Sequence, residues 1–402
     1  MVIGIIGGGA SGMAAALAAA ENENAQVLLF ERQARLGRKL LATGNGRCNL
    51  TNAHANPDHY HGEAVEFVAP ALKRYNARET VEWFGSMGLY TVEEPSGRVY
   101  PYSDQANSVV DILRFALDKP NIRVLTGFEV TKVKRSDDGF LVESAQETFS
   151  CHKLIIACGG LAGSKLGGSM SGYKLLMKFG HHCTKLRPCL VQIKSSWPGC
   201  VSLKGVRANC RAQIIRDGNI HASSEGELQF TEYGISGPVI FEISRDVCHE
   251  KGNWICRLDL LPEMEKTVLL QMLREKRHTA LAAEELLTGV LHNRLGRVVV
   301  KEAGISLHAP IYQLEDWELE KVCETVHSLT IPLTEPMSMD SAQVTAGGIV
   351  TTEFDPNTME STLVGGLYAC GEVLDIDGDC GGYNLQWAWS SGRCAGYAAG
   401  KE

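Results

Sequence analysis

The chain has 402 residues, 44% of them hydrophobic and 21% charged, with a formal net charge of −8. That length holds about two or three domains, and the composition is that of a globular chain rather than a disordered one. The acidic balance argues against nucleic-acid binding through a bulk field, which needs a concentrated basic face, and no stretch reaches the roughly 18 uninterrupted apolar residues of a membrane span.

The chain opens on "MVIGIIGGGASGMAAALAAA". It has no basic n-region, and glycines break the apolar run, so it is not read as a secretory signal. The thirteen cysteines are odd in number and show no C-x-x-C pair or zinc-like spacing. Reduced thiols, a cytoplasmic location and no metal are therefore expected.

The same stretch predicts strand, turn and helix. Val2 to Ile6 suits a parallel strand buried on both faces, and Ser11 to Ala20 an alanine-rich helix. Between them Gly7, Gly9 and Gly12 fit G-x-G-x-x-G: a tight turn, a close backbone approach to a pyrophosphate, and close packing of helix on strand. The helix N-terminus adds amides and partial positive charge for phosphates. Val27 to Phe30 is a second buried strand, and Glu31 closes it about 20 residues past Gly12, where an acid meets ribose hydroxyls. A plain glycine-rich turn and a solvated carboxylate are the structural alternatives.

Such a unit serves NAD and FAD alike. "LGRKLLATGNGRCNLTN" (Leu36 to Asn52) discriminates, because in FAD proteins the chain after the ribose acid folds back over the pyrophosphate and runs towards the isoalloxazine. Its Arg38, Lys39 and Arg47, with Arg35 just before it, either contact phosphates or an anionic substrate or are ordinary surface charges. Cys48 has no redox partner in sequence and is assigned to packing.

Further along, Phe128 to Ser144 alternates around a D-D-G turn and predicts a β-meander. Leu154 to Gly160 is a buried strand ending in glycines. From Pro188 to about Leu258 β-like runs predominate. From Pro262, read as the first residue of a helix, to about Gly304 the pattern is amphipathic helix. Finally "GLYACGEVLD" predicts a strand followed by Gly371 and Glu372, and a helix opens at Gly381 and Gly382 with amides able to face a flavin's N1 and O2.

These blocks carry a resemblance. "ERQARLGRKLLATGNGRCNLTN", "SGRVYPYSDQANSVVDIL", "LIIACGG", "FTEYGISGP", "QVTAGGI" and "GLYACGEVLDIDGDCGGYNLQWAWSSG" are similar, in order, to motifs of the BaiN/RdsA (aminoacetone oxidase-like) family of bacterial NAD(P)/FAD-dependent flavoproteins. The chain departs from the pattern at Ser171, where many members have aspartate, and at Glu232, where histidine is usual. The resemblance implies an α/β fold: a glutathione-reductase-like Rossmann FAD domain, interrupted by a β-barrel-like domain and a helical flap. The expected limits are residues 1–187 and 332–402 for the discontinuous FAD domain, 188–258 for the β-rich insertion and 259–331 for the helical cap over the flavin.

The resemblance also implies where FAD lies. Gly7, Gly9, Ala10, Ser11 and Gly12 would take the pyrophosphate, with Glu31 and Arg32 beyond them. Gly37, Arg38, Lys39, Thr43, Gly44, Asn45, Gly46, Arg47, Cys48 and Asn49 would line the cofactor, with Val130 at the adenine edge and Ala157, Gly159 and Gly160 at the adenosine half. Gly371 and Glu372 would meet the ribityl chain, and Gly382, Asn384, Leu385 and Gln386 the flavin ring. No catalytic residue is assigned; Arg47, Tyr100 and Tyr383 are candidates.

The expected activity is an FAD-dependent oxidoreductase that takes hydride from NADH or NADPH and passes it through flavin N5 to an activated C=C or C=O of a small organic substrate. The alternatives are an oxidase of small amines or amino ketones producing hydrogen peroxide and, in another class, an RNA-modifying or non-catalytic flavin-binding protein. A small-molecule substrate, no nucleic-acid partner and no membrane association are expected.

Overall fold

The computed structural model describes residues 1–401. The chain forms two compact units: Met1–Arg187 with Gln343–Glu402, and Pro188–Ala342.

The first unit is built on a five-stranded parallel sheet. In chain order its strands are β1 (Val2–Ile6), β2 (Gln26–Glu31), β3 (Ile122–Thr126), β4 (Lys153–Ile156) and β5 (Leu367–Ala369), and in space they lie in the order β5-β4-β1-β2-β3. Ile3, Ile5, Leu154, Ile155 and Ile156 are fully buried, as continuous aliphatic runs are when a parallel sheet is covered on both faces. The strand order reverses at β1, and ligands of open α/β sheets bind beyond the carboxyl ends of the strands at such a point. Gly7, Glu31, Ala157 and Gly371 all follow or close strands on that edge. The expected meander is present as Lys132–Ser136, Gly139–Glu143 and Thr148–Cys151.

Helix α1 (Ala10–Ala19) packs along α2 (Tyr383–Gly400). The contact is made by small residues in register: Gly392 against Ser11, Gly396 against Ala15 and Gly400 against Ala19, each glycine lying on the facing backbone. Steps of four residues on both helices place each row on one helix face, so the alanines of α1 are contact surface. The order of the pairs makes the helices parallel. Their N-termini therefore point the same way, and α2 starts roughly eight residues, or about 12 Å, ahead of α1.

The second unit contains a closed six-stranded barrel. Around it run Ile193–Ser195, Gly234–Ser236, Asn219–Thr231, Arg207–Arg216, Ile255–Asp259 and Leu329–Pro336. Cys210, Ala212 and Ile214 alternate inward along one strand. The helices Lys266–Glu275, Asn293–Glu302 and Asp316–His327 share one hydrophobic core with the barrel.

Three sequence expectations are corrected here. This unit runs to Ala342 rather than ending at residue 331, because Leu329–Pro336 supplies the strand that closes the barrel. The β-rich stretch also contains a helix, Pro238–His249, and Pro238 is its first residue. Pro262 begins no helix; the next starts at Lys266 after Glu265.

Candidate functional site

The glycines of the first turn have separate physical reasons. Gly7 has φ of 113° and donates its N–H to the Phe30 carbonyl at 2.8 Å. A side chain on Gly12 would strike the Gly7 carbonyl, which is the close helix-to-strand packing the third glycine permits. At Gly9 a Cβ would meet nothing within 4 Å, so packing does not require glycine there.

Glu31 is fixed by backbone: Oε2 accepts from Gly8 N–H and Oε1 from Gln33 N–H, both at 2.7 Å. Beside it, Arg32 and Val130 line an open cavity of about 600 Å³ with Thr131, Ser169, Ser171 and Lys174.

The segment from Leu36 to Asn52 returns to the same edge. Gly37 N–H donates to the Gly8 carbonyl at 2.9 Å. Thr43 Oγ1 donates to the Leu40 carbonyl, and Gly44 and Asn45 both take left-handed backbone, with φ of 55° and 56°. Gly46 faces open space. Cys48 is fully buried and its thiol is pushed up to about 12 by burial, the behaviour of an inert packing cysteine. All thirteen cysteines are free among the described residues.

Lys39 Nζ reaches Glu372 Oε2 at 2.8 Å, joining this segment to the turn after β5. Glu372 Oε1 accepts from Thr345 N–H at 2.9 Å, and Thr345 Oγ1 accepts from the Leu161 and Ala162 amides. Gly160 lies so close to Glu372 and Thr345 that no Cβ fits, whereas a Cβ on Gly159 would meet open space. Gly371, with φ of 76°, touches Ser11 and donates to Ser391 Oγ. Thr345 lies within the block "QVTAGGI", but sequence reading gave it no site role.

Several predicted residues point elsewhere. The Arg47 fork binds Asp104 and Glu94 and lies 3.9 Å over the Tyr100 ring. Arg38 donates to Gln33 on the exposed side. Gln386 is fully buried and bonded to Thr51, Tyr75, Thr80 and Ser390. Its side chain is an internal strut held by these four partners. Asn384 holds the turn before its helix through both groups of Gly378. Tyr100 and Tyr383 are buried, and burial raises the Tyr100 phenol.

The site contains three features suited to an anionic, polar dinucleotide. Neither α1 nor α2 carries a side-chain cap or an acidic residue in its first turn, so both N-termini keep amides and partial positive charge for a ligand. Asn49 Oδ1 is buried beside Gly382 without a hydrogen-bond partner. The open faces at Gly9, Gly46 and Gly159 leave room against backbone. The residues present fit FAD, with Glu31 at one end of the line and the start of α2 at the other. Among the described residues no cluster of His, Cys, Asp or Glu is arranged to hold a metal, and no helix is long and apolar enough to cross a membrane.

A Rossmann sheet with this edge and this pair of open helix starts suits a dinucleotide, and together with the family and relative that follow it makes the protein an FAD-dependent oxidoreductase. Residues 1–398 match the family described as HI0933-like protein Rossmann domain, and the chain belongs to it. It is 39% identical to a 3-dehydro-bile acid delta(4,6)-reductase of Clostridium scindens, over 99% of this chain and 98% of that one. It is 32% identical to a ribosomal RNA dihydrouridine synthase of Escherichia coli, over 96% of this chain and 95% of that one. The 3-ketosteroid delta1-dehydrogenase of Sterolibacterium denitrificans shares the fold at 12% identity, covering 99% of each chain with a TM-score of 0.51.

Proposed function

We propose that this protein uses FAD and NAD(P)H to reduce a carbon–carbon double bond conjugated to a carbonyl in a small organic substrate. The observation that carries this reading is the full-length similarity to the bile acid reductase. The dihydrouridine synthase named above acts on a related arrangement, the uracil C=C beside a carbonyl. The shared chemistry favours reduction of a conjugated alkene over oxidation of an amine.

Bound FAD supplies hydride transfer at its N5. The chain's own residues bind and orient it. Glu31, held by the Gly8 and Gln33 amides, would accept from ribose hydroxyls. The first-turn amides of α1 would offset phosphate charge, and those of α2 the negative charge that gathers at flavin N1 and O2 on reduction. The Lys39–Glu372 pair would border the ribityl chain. In this proposal Arg47 braces the glycine-rich segment through Asp104, Glu94 and Tyr100 rather than binding phosphate.

Anaerobic stopped-flow reduction by NADH and by NADPH tests the reading, followed by reoxidation with a conjugated steroid enone, uridine-containing RNA, an amino ketone and oxygen. Fast reduction by a nicotinamide and fast reoxidation by the enone are expected. Reoxidation by RNA alone would move the substrate to nucleic acid. Failure of both nicotinamides to reduce the flavin, or rapid peroxide formation with the amino ketone, would overturn the proposal.

A further inference from the structure

Beside the open start of α2 lies a cluster that the binding roles above leave unused. His59 Nδ1 is 3.1 Å from Asp379 Oδ2, and His61 Nε2 is 2.7 Å from Asp379 Oδ1. Both imidazoles thus share one carboxylate. Pairing of Tyr60–His61 with Asp377–Gly378 fixes their spacing, Asp379 N–H donates to the His59 carbonyl at 3.0 Å, and Tyr60 Oη donates to the Tyr383 carbonyl at 3.0 Å. The His59 ring stacks on Tyr383, the first residue of α2, with centroids 4.3 Å apart. The cluster is therefore built into the helix start that would face the flavin.

The carboxylate decides which nitrogens carry hydrogen. An ionised Asp379 only accepts, so the facing atoms, His59 Nδ1 and His61 Nε2, are both donors. Burial acts to raise the Asp379 carboxyl, but the hydrogen bonds from His61 and His59 outweigh it and hold it below the ordinary range. The free nitrogens are then His59 Nε2 and His61 Nδ1. The side chains are 32% and 34% exposed, open enough to exchange protons with water. The neighbouring titratable groups are Asp377 opposite His61, Tyr60 and Tyr383 in ring contact, and Cys380 and Arg98 flanking Gly381. An aspartate that orients an imidazole and stabilises its charged form is a general acid–base arrangement.

We propose that His59, oriented by Asp379 with His61 as its partner, is the acid that supplies the proton in this enzyme's reduction of a conjugated double bond. The inference rests on the alkene-reduction reading above. The balance is one hydride and one proton per double bond. The carbon remote from the carbonyl gains hydride from reduced flavin, and the π pair moves towards the carbonyl. The carbon next to the carbonyl then takes the proton from protonated His59 Nε2. His59 is left neutral, its Nδ1–H still donating to Asp379, and Nε2 is recharged from water.

Two measurements on the FAD-loaded protein test this. Nitrogen-15 NMR of labelled histidines at pH about 8, above the ordinary histidine value, should show His59 as the Nδ1–H tautomer and His61 as the Nε2–H tautomer. The opposite tautomer at His59 overturns the proposal without reference to turnover. In stopped flow, His59→Gln should slow reoxidation by the enone about 100-fold or more beyond any slowing of flavin reduction, within the range for a lost general acid. Added imidazole should restore reoxidation in His59→Gly. Equal slowing of both half-reactions, or no rescue, overturns the assignment. A wild-type enzyme that no conjugated alkene reoxidises refutes the reduction reading, whereas wild-type reoxidation with a silent His59→Gln refutes only the acid.

Discussion

Gly396 of α2 lies against the Ala15 carbonyl of α1 so closely that no Cβ fits between them. In most helices Gly→Ala gains about 0.5–1 kcal/mol from lower backbone entropy. Here the added methyl must push two helix backbones apart, and overpacking of that kind costs about 1–3 kcal/mol. Gly396→Ala is therefore expected to destabilise the protein and weaken FAD retention. Gly85→Ala, at an exposed helical site where a Cβ meets nothing, should stabilise it. Urea denaturation of both variants checks the opposite signs.

Asn49 leaves a buried acceptor unpaired, a cost of about 1–3 kcal/mol to the protein without ligand. Asn49→Leu removes that cost, so the apoprotein should unfold at an equal or higher urea concentration while FAD affinity falls. Loss of both together, by denaturation and flavin fluorescence titration, would mark Asn49 as ordinary packing.

Glu31 gains two backbone hydrogen bonds and is proposed to bind ribose. Glu31→Ala should weaken FAD binding by about 1–3 kcal/mol, the scale for losing hydrogen bonds to a charged group. Unchanged affinity would confine Glu31 to holding the turn.

Arg47 separates bracing from direct binding. Its partners are partly exposed, so Arg47→Met should change stability by less than about 1 kcal/mol. If bracing is its role, Asp104→Asn should reproduce whatever loss of FAD affinity Arg47→Met produces. A loss in Arg47→Met alone would return Arg47 to the phosphates.

His181 predicts an acid-sensitive window. Burial pushes its imidazole down, although Glu353 acts in the opposite direction, and its side chain is fully buried between Glu353, Ser361 and the Phe354 ring. The unfolded ring then binds protons more readily than the folded one. Its stabilising contribution is complete above the ordinary value of about 6.5 and is lost as pH falls through the lower folded value. Thermal midpoints between pH about 6.5 and 5 should fall less steeply in His181→Gln than in the parent protein.

Much of the fold was legible because its signals are local. Gly7, Gly9, Gly12 and Glu31 sit within one strand–helix–strand unit whose apolar runs and turn chemistry show directly in the sequence. The partners of long side chains were not legible. Arg47 chooses Asp104 and Glu94, and Gln386 turns inward, through contacts across the folded chain. His59 and His61 meet Asp379 over 320 and 318 residues, a separation no spacing rule covers. Pro262 failed as a helix start because proline suits turns as well as first helical positions.

The pairing of α1 with α2, and of β4 with β5, also sets the order in which the protein can be made. On the ribosome the glycine face that α1 packs against is translated some 380 residues after α1 itself, a wait of about 20–80 s at ordinary elongation rates. Until then the alanine row of α1 and the β4 edge have no permanent cover, while Pro188–Ala342 is already contiguous and carries its own hydrophobic core. The proposed dinucleotide site is thus completed only after the inserted unit has been made, although its glycine motif is synthesised before that unit.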